Sequence, residues 1–344
     1  MGRVAVVSYR LGLRDGVSIE AAKWIDALRR LGWDVRTVAG EGAVDVTVPG
    51  LRATDQESPR AQDLERALEG CELVIAENVL SLPLHPGARD AVADVLRGRP
   101  VLVHHHDLPW QRDHLRHEPP PPDDDAWRHV TINDLSRVEL GERGIEAVRL
   151  YNHFGVNPTP GRRELTRELL EVPEDQPLVL APTRAIPRKN LHLAARVARE
   201  SRAILWILGP AEDGFDEELR QLLAELGAQG RHLAPPGVTI DDAYAACDAV
   251  AVTSTWEGFG NPVIEAFVHE RPLVLYPYPV ARELLALGFK TFSPDDSPGL
   301  IQEFREPDLE RRQHNHEIVR RHFNLADLPE KLSTILAACG ASSR

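Results

Sequence analysis

Cysteine is scarce in this 344-residue chain, with only Cys71, Cys247 and Cys339. The three lie far apart and match no metal-ligand spacing, so they exclude a disulfide framework and fit a reducing compartment. No apolar run approaches the length of a membrane span, and the N-terminal one, MGRVAVVSYRLG, is too short for a signal peptide. Both absences point to a cytoplasmic protein. Positive charge is also in deficit: 40 Lys and Arg stand against 53 Asp and Glu, a formal net charge of -13. That balance repels nucleic acid and anionic lipid, so neither is an expected partner, and any anion site has to be built locally from a few cations and backbone dipoles. Two missing motifs narrow the enzyme classes. The first strand is followed by YRLGLRDG rather than G-x-G-x-x-G, which argues against a dinucleotide dehydrogenase. No D-x-D follows a strand, because Asp123, Asp124 and Asp125 belong to PPPPDDD (119–125), a tract that reads as an exposed loop.

What is present is a soluble globular composition, 42% hydrophobic and 27% charged. The length exceeds what grows around one core, which predicts two domains and a cleft between them. Short apolar runs recur with helical patterns between them: RVAVVSY (3–9), ELVIAE (72–77), PVLVHHH (100–106), PLVLAPT (177–183), AILWILG (203–209), DAVAVTS (248–254) and PLVLYPY (272–278). Runs this continuous are strands buried on both faces, hence α/β domains on parallel sheets covered by helices. The series breaks at YNHFGVNPTPG (151–161). The expected division is a domain over 1–155, a second over 156–320, and a helical segment over 321–344 whose return to the first domain is left open.

Polar chemistry collects where strands end. TWEGFGNPVIEAF (255–267) follows DAVAVTS and carries an E-x7-E pair, Glu257 and Glu265. Asn261 suits a helix N-cap and Pro262 the first helical position, leaving Glu257 in the loop and Glu265 in the first turn. Two acceptor-only groups beside glycine backbone and a positive helix end can grip sugar or ribose hydroxyls while amides take phosphate oxygens. The plainer alternative is a capping carboxylate and a solvated loop charge. PTRAIPRKNLH (182–192) likewise follows a strand, and its Arg184 and Lys189 suit a diphosphate; neither is needed for packing. Two solvated cations are the alternative, although positive charge at a helix start opposes the dipole until an anion arrives. In HHHDLPW (104–110) a strand alternates faces, so His104, His105 and His106 cannot all point one way. Adjacent histidines diverge, which weighs against a zinc site formed with His114 and His117, and no metal is expected. Gly12 and Gly16 let backbone approach a ligand, and Ser18 is a candidate cap for the helix that follows.

Strand, R-x4-K, then YAACDAVAVTSTWEGFGNPVIEA with its E-x7-E pair resembles the C-terminal domain of retaining GT-B fold glycosyltransferases, the large sucrose synthase and mannosyltransferase group (glycosyltransferase family 4-like). The resemblance is strong over 177–290 and weaker before 150. It implies a GT-B fold of two Rossmann-like domains whose parallel sheets face a central cleft. It implies transfer of a hexosyl unit from a nucleoside diphosphate sugar to an acceptor hydroxyl, with retention and without metal or cofactor. Carried over by position, Arg184 and Lys189 bind the diphosphate, Glu257 contacts the donor sugar and Glu265 the ribose hydroxyls. Phe259, Gly260 and Asn261 offer turn amides just before Pro262. In the N-terminal half the usual Gly-Gly pair is Asp15-Gly16, with Gly16 at the donor, and the family's sugar-side histidine corresponds to His106, with His105 the fallback. YNHFGVN resembles the interdomain segment, His153 replacing a glycine, and marks a hinge. Two rivals stay open: a nucleotide-sugar epimerase on the same fold and a noncatalytic nucleotide-sugar-binding protein.

Overall fold

The computed structural model describes residues 2–13 and 15–339. Among the described residues twelve strands form two sheets, and every pairing is parallel. The chain divides into two units, one containing the residues up to His153 together with those from Leu325 on, the other Phe154–Asn324. None of the described helices is long and apolar enough to cross a membrane.

The N-terminal unit holds β1 (Arg3–Leu11), β2 (Asp34–Gly42), β3 (Val46–Thr47), β4 (Leu73–Glu77), β5 (Val101–His105), β6 (Trp127–Thr131) and β7 (Ala147–Arg149), in the order β3-β2-β1-β4-β5-β6-β7. All five residues of β4 and all five of β5 are buried, as strands covered on both faces must be. Alternate residues enter different cores: Val7, Val74 and Val103 pack in one, while Val6, Ile75 and Leu102 pack in another with Trp24 and Leu28 of the helix Gly16–Arg30. Leu328, Leu332 and Leu336 of the last helix, Leu328–Ala338, complete that second core.

The C-terminal unit holds β8 (Leu178–Ala181), β9 (Ile204–Ile207), β10 (Gly230–His232), β11 (Ala249–Val252) and β12 (Leu273–Leu275), ordered β10-β9-β8-β11-β12. The order reverses between β8 and β11, as it does between β1 and β4 in the first unit. Crevices for ligands open at such switch points, outside the carboxyl ends of the strands. The two passages of chain that bound this unit run side by side: the Phe154 amide donates to the Phe323 carbonyl at 2.7 Å.

Two local expectations need correction. The helix after β1 is capped by Asp15, whose side chain accepts from the Ser18 amide at 3.3 Å and from the Ser18 hydroxyl at 2.8 Å; Ser18 is the donor, not the cap. The helix Asn261–Val268 starts one residue early, so Asn261 is helical and Gly260 precedes it with φ 96. Glycine is required there, since a Cβ would lie 1.9 Å from the Tyr278 hydroxyl.

Candidate active site

At the switch point of the C-terminal unit, the segment after β8 meets the segment after β11. Thr253 at the end of β11 donates its hydroxyl to the Lys189 carbonyl (2.9 Å), and the Thr255 amide donates to the Arg188 carbonyl (2.8 Å). These bonds lock the two loops together and bring their charges into contact. Glu257 accepts from Lys189 Nζ and Ser254 Oγ on one oxygen and from Arg188 Nη1 at 2.7 Å on the other. Glu257 and Lys189 are both 8% exposed, so this ion pair forms where water screens little. Burial alone pushes the Glu257 carboxyl up, but the Lys189 ammonium and Arg188 guanidinium outweigh it and hold the group below the usual carboxylate range. Burial draws the Lys189 pKa down, and the neighbouring Glu257 offsets only part of that.

The expectation that Lys189 is dispensable for packing is therefore corrected: it is the buried partner of Glu257. Arg184 differs. It is exposed and its Nη1 lies 2.5 Å from Glu212, a partner that an incoming anion can replace. Glu265, in the helix Asn261–Val268, is half-buried and accepts from the Tyr244 hydroxyl at 2.8 Å. Phe259 turns its ring into the core beside Phe154 and Phe323, and its carbonyl accepts from Tyr278 at 3.0 Å. Its side chain is committed to that packing. Pro262 sits in the first helical turn, which aims the positive end of the helix at this loop. Arg188, Ser254, Tyr244 and Tyr278 were not singled out in the sequence. Arg188 adjoins Lys189 and was masked by it, while the others become visible only when strand ends converge.

In the N-terminal unit Gly16 opens the first helix, and a Cβ there would meet nothing within 4 Å. The three histidines part ways. His104 and His106 both hydrogen-bond Glu77, the last residue of β4, at 2.8 and 2.9 Å. Burial pushes Glu77 up, yet the two imidazoles bring its pKa down to about 2. His105 points to the opposite face, where Ser81 and His129 occupy both ring nitrogens at 2.7 and 2.8 Å, and His129 reaches Asp123 at 3.0 Å. No ring nitrogen is left for a ligand, so the fallback to His105 is withdrawn in favour of His106. The Asp123 contact also revises the proline-rich tract, which is tied to the sheet at this point. His114 and His117 are exposed and take no part in the Glu77 cluster. His153 is buried, and its Nε2 takes a hydrogen bond from Lys331 Nζ at 3.0 Å; burial first, then the lysine charge, holds it down at about 3.

Residues 162–304 match the family model described as Glycosyl transferases group 1. The mannosylglucosylglycerate synthase of Thermotoga maritima is 26% identical, the alignment covering 96% of this chain and 99% of that protein. The lipopolysaccharide core biosynthesis glycosyltransferase LpsE of Rhizobium meliloti is 33% identical across 31% of this chain and 32% of its own. Among solved structures, Anabaena HepE in complex with UDP-glucose superposes with a TM-score of 0.76 at 18% identity, covering 98% of this chain and 99% of that one. Sucrose-phosphate synthase of Thermosynechococcus elongatus superposes with a TM-score of 0.73 at 15% identity, covering 100% of each. Residues 162–304 are thus a glycosyltransferase group 1 domain, in a chain whose two parallel-sheet units have the GT-B fold.

Proposed function

We propose that the protein transfers a hexosyl unit from a nucleoside diphosphate sugar to an acceptor hydroxyl, with retention at the anomeric carbon and without a metal ion. The observation that carries this is the meeting of Arg188, Lys189 and Glu257 at the switch point between β8 and β11, beside the displaceable Arg184. Expelling a diphosphate while the sugar becomes oxocarbenium-like asks for positive charge at the leaving group. Two cations share one carboxylate here, which leaves one positive charge in surplus, and Arg184 adds another once it leaves Glu212. The amides at the start of Asn261–Val268 supply further donors. Glu257, kept ionised by its partners, faces charge developing on the sugar, and Glu265 takes the ribose hydroxyls. His106, in the N-terminal unit, hydrogen-bonds a sugar hydroxyl. No protein nucleophile is assigned, because the leaving phosphate can itself take the acceptor proton.

Full-length similarity to a mannosylglucosylglycerate synthase supports a small hydroxylated acceptor, with glucosylglycerate the first to offer. The HepE complex supports UDP-glucose as a first donor, alongside nucleotide-activated mannose. The diphosphate assignment is tested by titrating Arg184→Ala with a nucleoside diphosphate and with the bare nucleoside. The diphosphate should lose about 1.5 to 3 kcal/mol, the size of a hydrogen bond to a charged group, and the nucleoside almost nothing. Equal losses would remove Arg184 from the diphosphate site.

A further inference from the structure

Strands β4 and β5 lie side by side, and the residues at their ends form a buried polar cluster. Glu77 is fully buried. Its Oε1 accepts from His104 Nδ1 at 2.8 Å and its Oε2 from His106 Nε2 at 2.9 Å. The His104 ring cannot drift, because it stacks on Trp24 with centroids 4.0 Å apart. The neighbouring Asn78, at φ 57, takes the His106 amide on its side chain (3.2 Å) and gives its own amide to the His104 carbonyl (2.9 Å). Backbone and ring of His106 are thus both held from β4. The remaining ring nitrogen of His106, Nδ1, has no hydrogen-bond partner among the described residues, and the residue keeps a small exposed fraction.

We infer that Glu77 is a positioning residue, whose buried carboxylate holds the His106 ring by Nε2 so that Nδ1 is the nitrogen presented to a ligand oxygen. The inference rests on the reading that gives His106 a sugar contact. The charges around His106 are consistent with it. Burial draws its pKa down, but Glu77 from β4, Glu20 from the helix Gly16–Arg30 and Asp107 from its own segment together outweigh burial and raise it. His104, by contrast, is driven down by burial first and stays neutral. A raised pKa favours a proton on His106, and with Nε2 committed to Glu77 the Nδ1 position is where it would donate to a sugar or phosphate oxygen. The same three side chains bring one donor atom each within 4.8 Å. Their 2.8 and 2.9 Å contacts are hydrogen-bond lengths in which each shared proton is accounted for, and they need no metal.

The test uses the full chain with three variants, Glu77→Gln, His106→Gln and the double substitution. The His106 ring resonances, identified by their loss in His106→Gln, should report Nε2–H bound and a raised titration in wild type. In Glu77→Gln they should show mixed tautomers and a lower titration point. Turnover of nucleotide sugar by Glu77→Gln should fall by about tenfold or more with KM little changed, the cost of a misplaced group. Adding Glu77→Gln to His106→Gln should cost nothing further, since a residue that acts through another is silent once the other is gone. Should Glu77→Gln fail to fold, Glu77→Asp, which keeps the charge one methylene short, runs the same cycle. Additive losses, an unchanged His106 ring, or stoichiometric zinc binding that Glu77→Gln abolishes would each overturn the proposal. Wild-type turnover by His106→Gln would instead overturn the sugar contact of His106, and the ring resonances tell that failure apart from the other.

Discussion

Glu257 and Glu265 share one motif but not one environment, and the difference predicts separate phenotypes. Glu257 sits between two cations and a serine hydroxyl, all close and mostly buried. Its contacts are proposed to strengthen as the sugar gains positive charge, so Glu257→Gln should depress turnover at saturating donor more than nucleotide affinity. Glu265, half-buried and bonded to Tyr244, is proposed to serve the ribose equally in ground and transition states. Glu265→Gln should mainly weaken nucleotide binding, by ~1 to 3 kcal/mol for a lost charged acceptor. Initial rates together with titrations of the nucleoside diphosphate and its 2'-deoxy analogue separate the two. Identical losses on removing the 2'-hydroxyl from wild type and Glu265→Gln would take Glu265 off the ribose. Protonation follows the same logic: Glu257 has a depressed pKa, so its pairing contributes fully above the ordinary carboxylate value and is lost as pH falls through the lower folded value. At this scale R-x4-K and E-x7-E were legible because each motif is contiguous. Glu77 was not, since its partners lie 27 and 29 residues away and nothing local in ELVIAE distinguishes a buried hub from a strand end.

The element scale shows the same divide. Strands β4, β5, β8 and β11 were plain in the sequence because burial on both faces makes them uninterrupted hydrocarbon. Strand β2, DVRTVAGEG, and β6, WRHVT, were missed: charged or polar side chains interrupt them where one face meets solvent or a polar partner. The alternation of β5 did predict that its histidines split, though not that His105 would anchor a chain running Ser81, His105, His129, Asp123. An ionised Asp123 only accepts, and burial keeps His129 neutral, so each histidine donates from Nε2 and accepts at Nδ1, and the Ser81 hydroxyl starts the series. Ser81→Ala leaves a buried acceptor unmet and should cost about 1 to 3 kcal/mol. Asp123→Ala, at the half-exposed end, should cost less, under about 1 kcal/mol. Urea unfolding midpoints decide, and the reverse ranking would mean that the loop end, not the core end, holds the chain in place.

For the whole molecule, a net charge of -13 coexists with a local cluster of cations, proposed to take an anion, because two loops at one switch point bring Arg184, Arg188 and Lys189 together. The chain passes from one unit to the other between His153 and Phe154, inside YNHFGVNPTPG. The assignment of the last helix to the core of the first unit was not visible, since Leu328, Leu332 and Leu336 show a helical stripe but not what it covers. The central claim concerns the chain as an enzyme, and one assay addresses it directly: mass spectrometry of nucleotide sugars incubated with the protein in excess chelator, with and without hydroxyl acceptors. Acceptor carrying one added hexosyl unit, formed only when both substrates are present, is the predicted result. Donor isomerised without acceptor, nucleotide sugar bound but never turned over, or transfer that appears only when a divalent metal is restored would contradict the account.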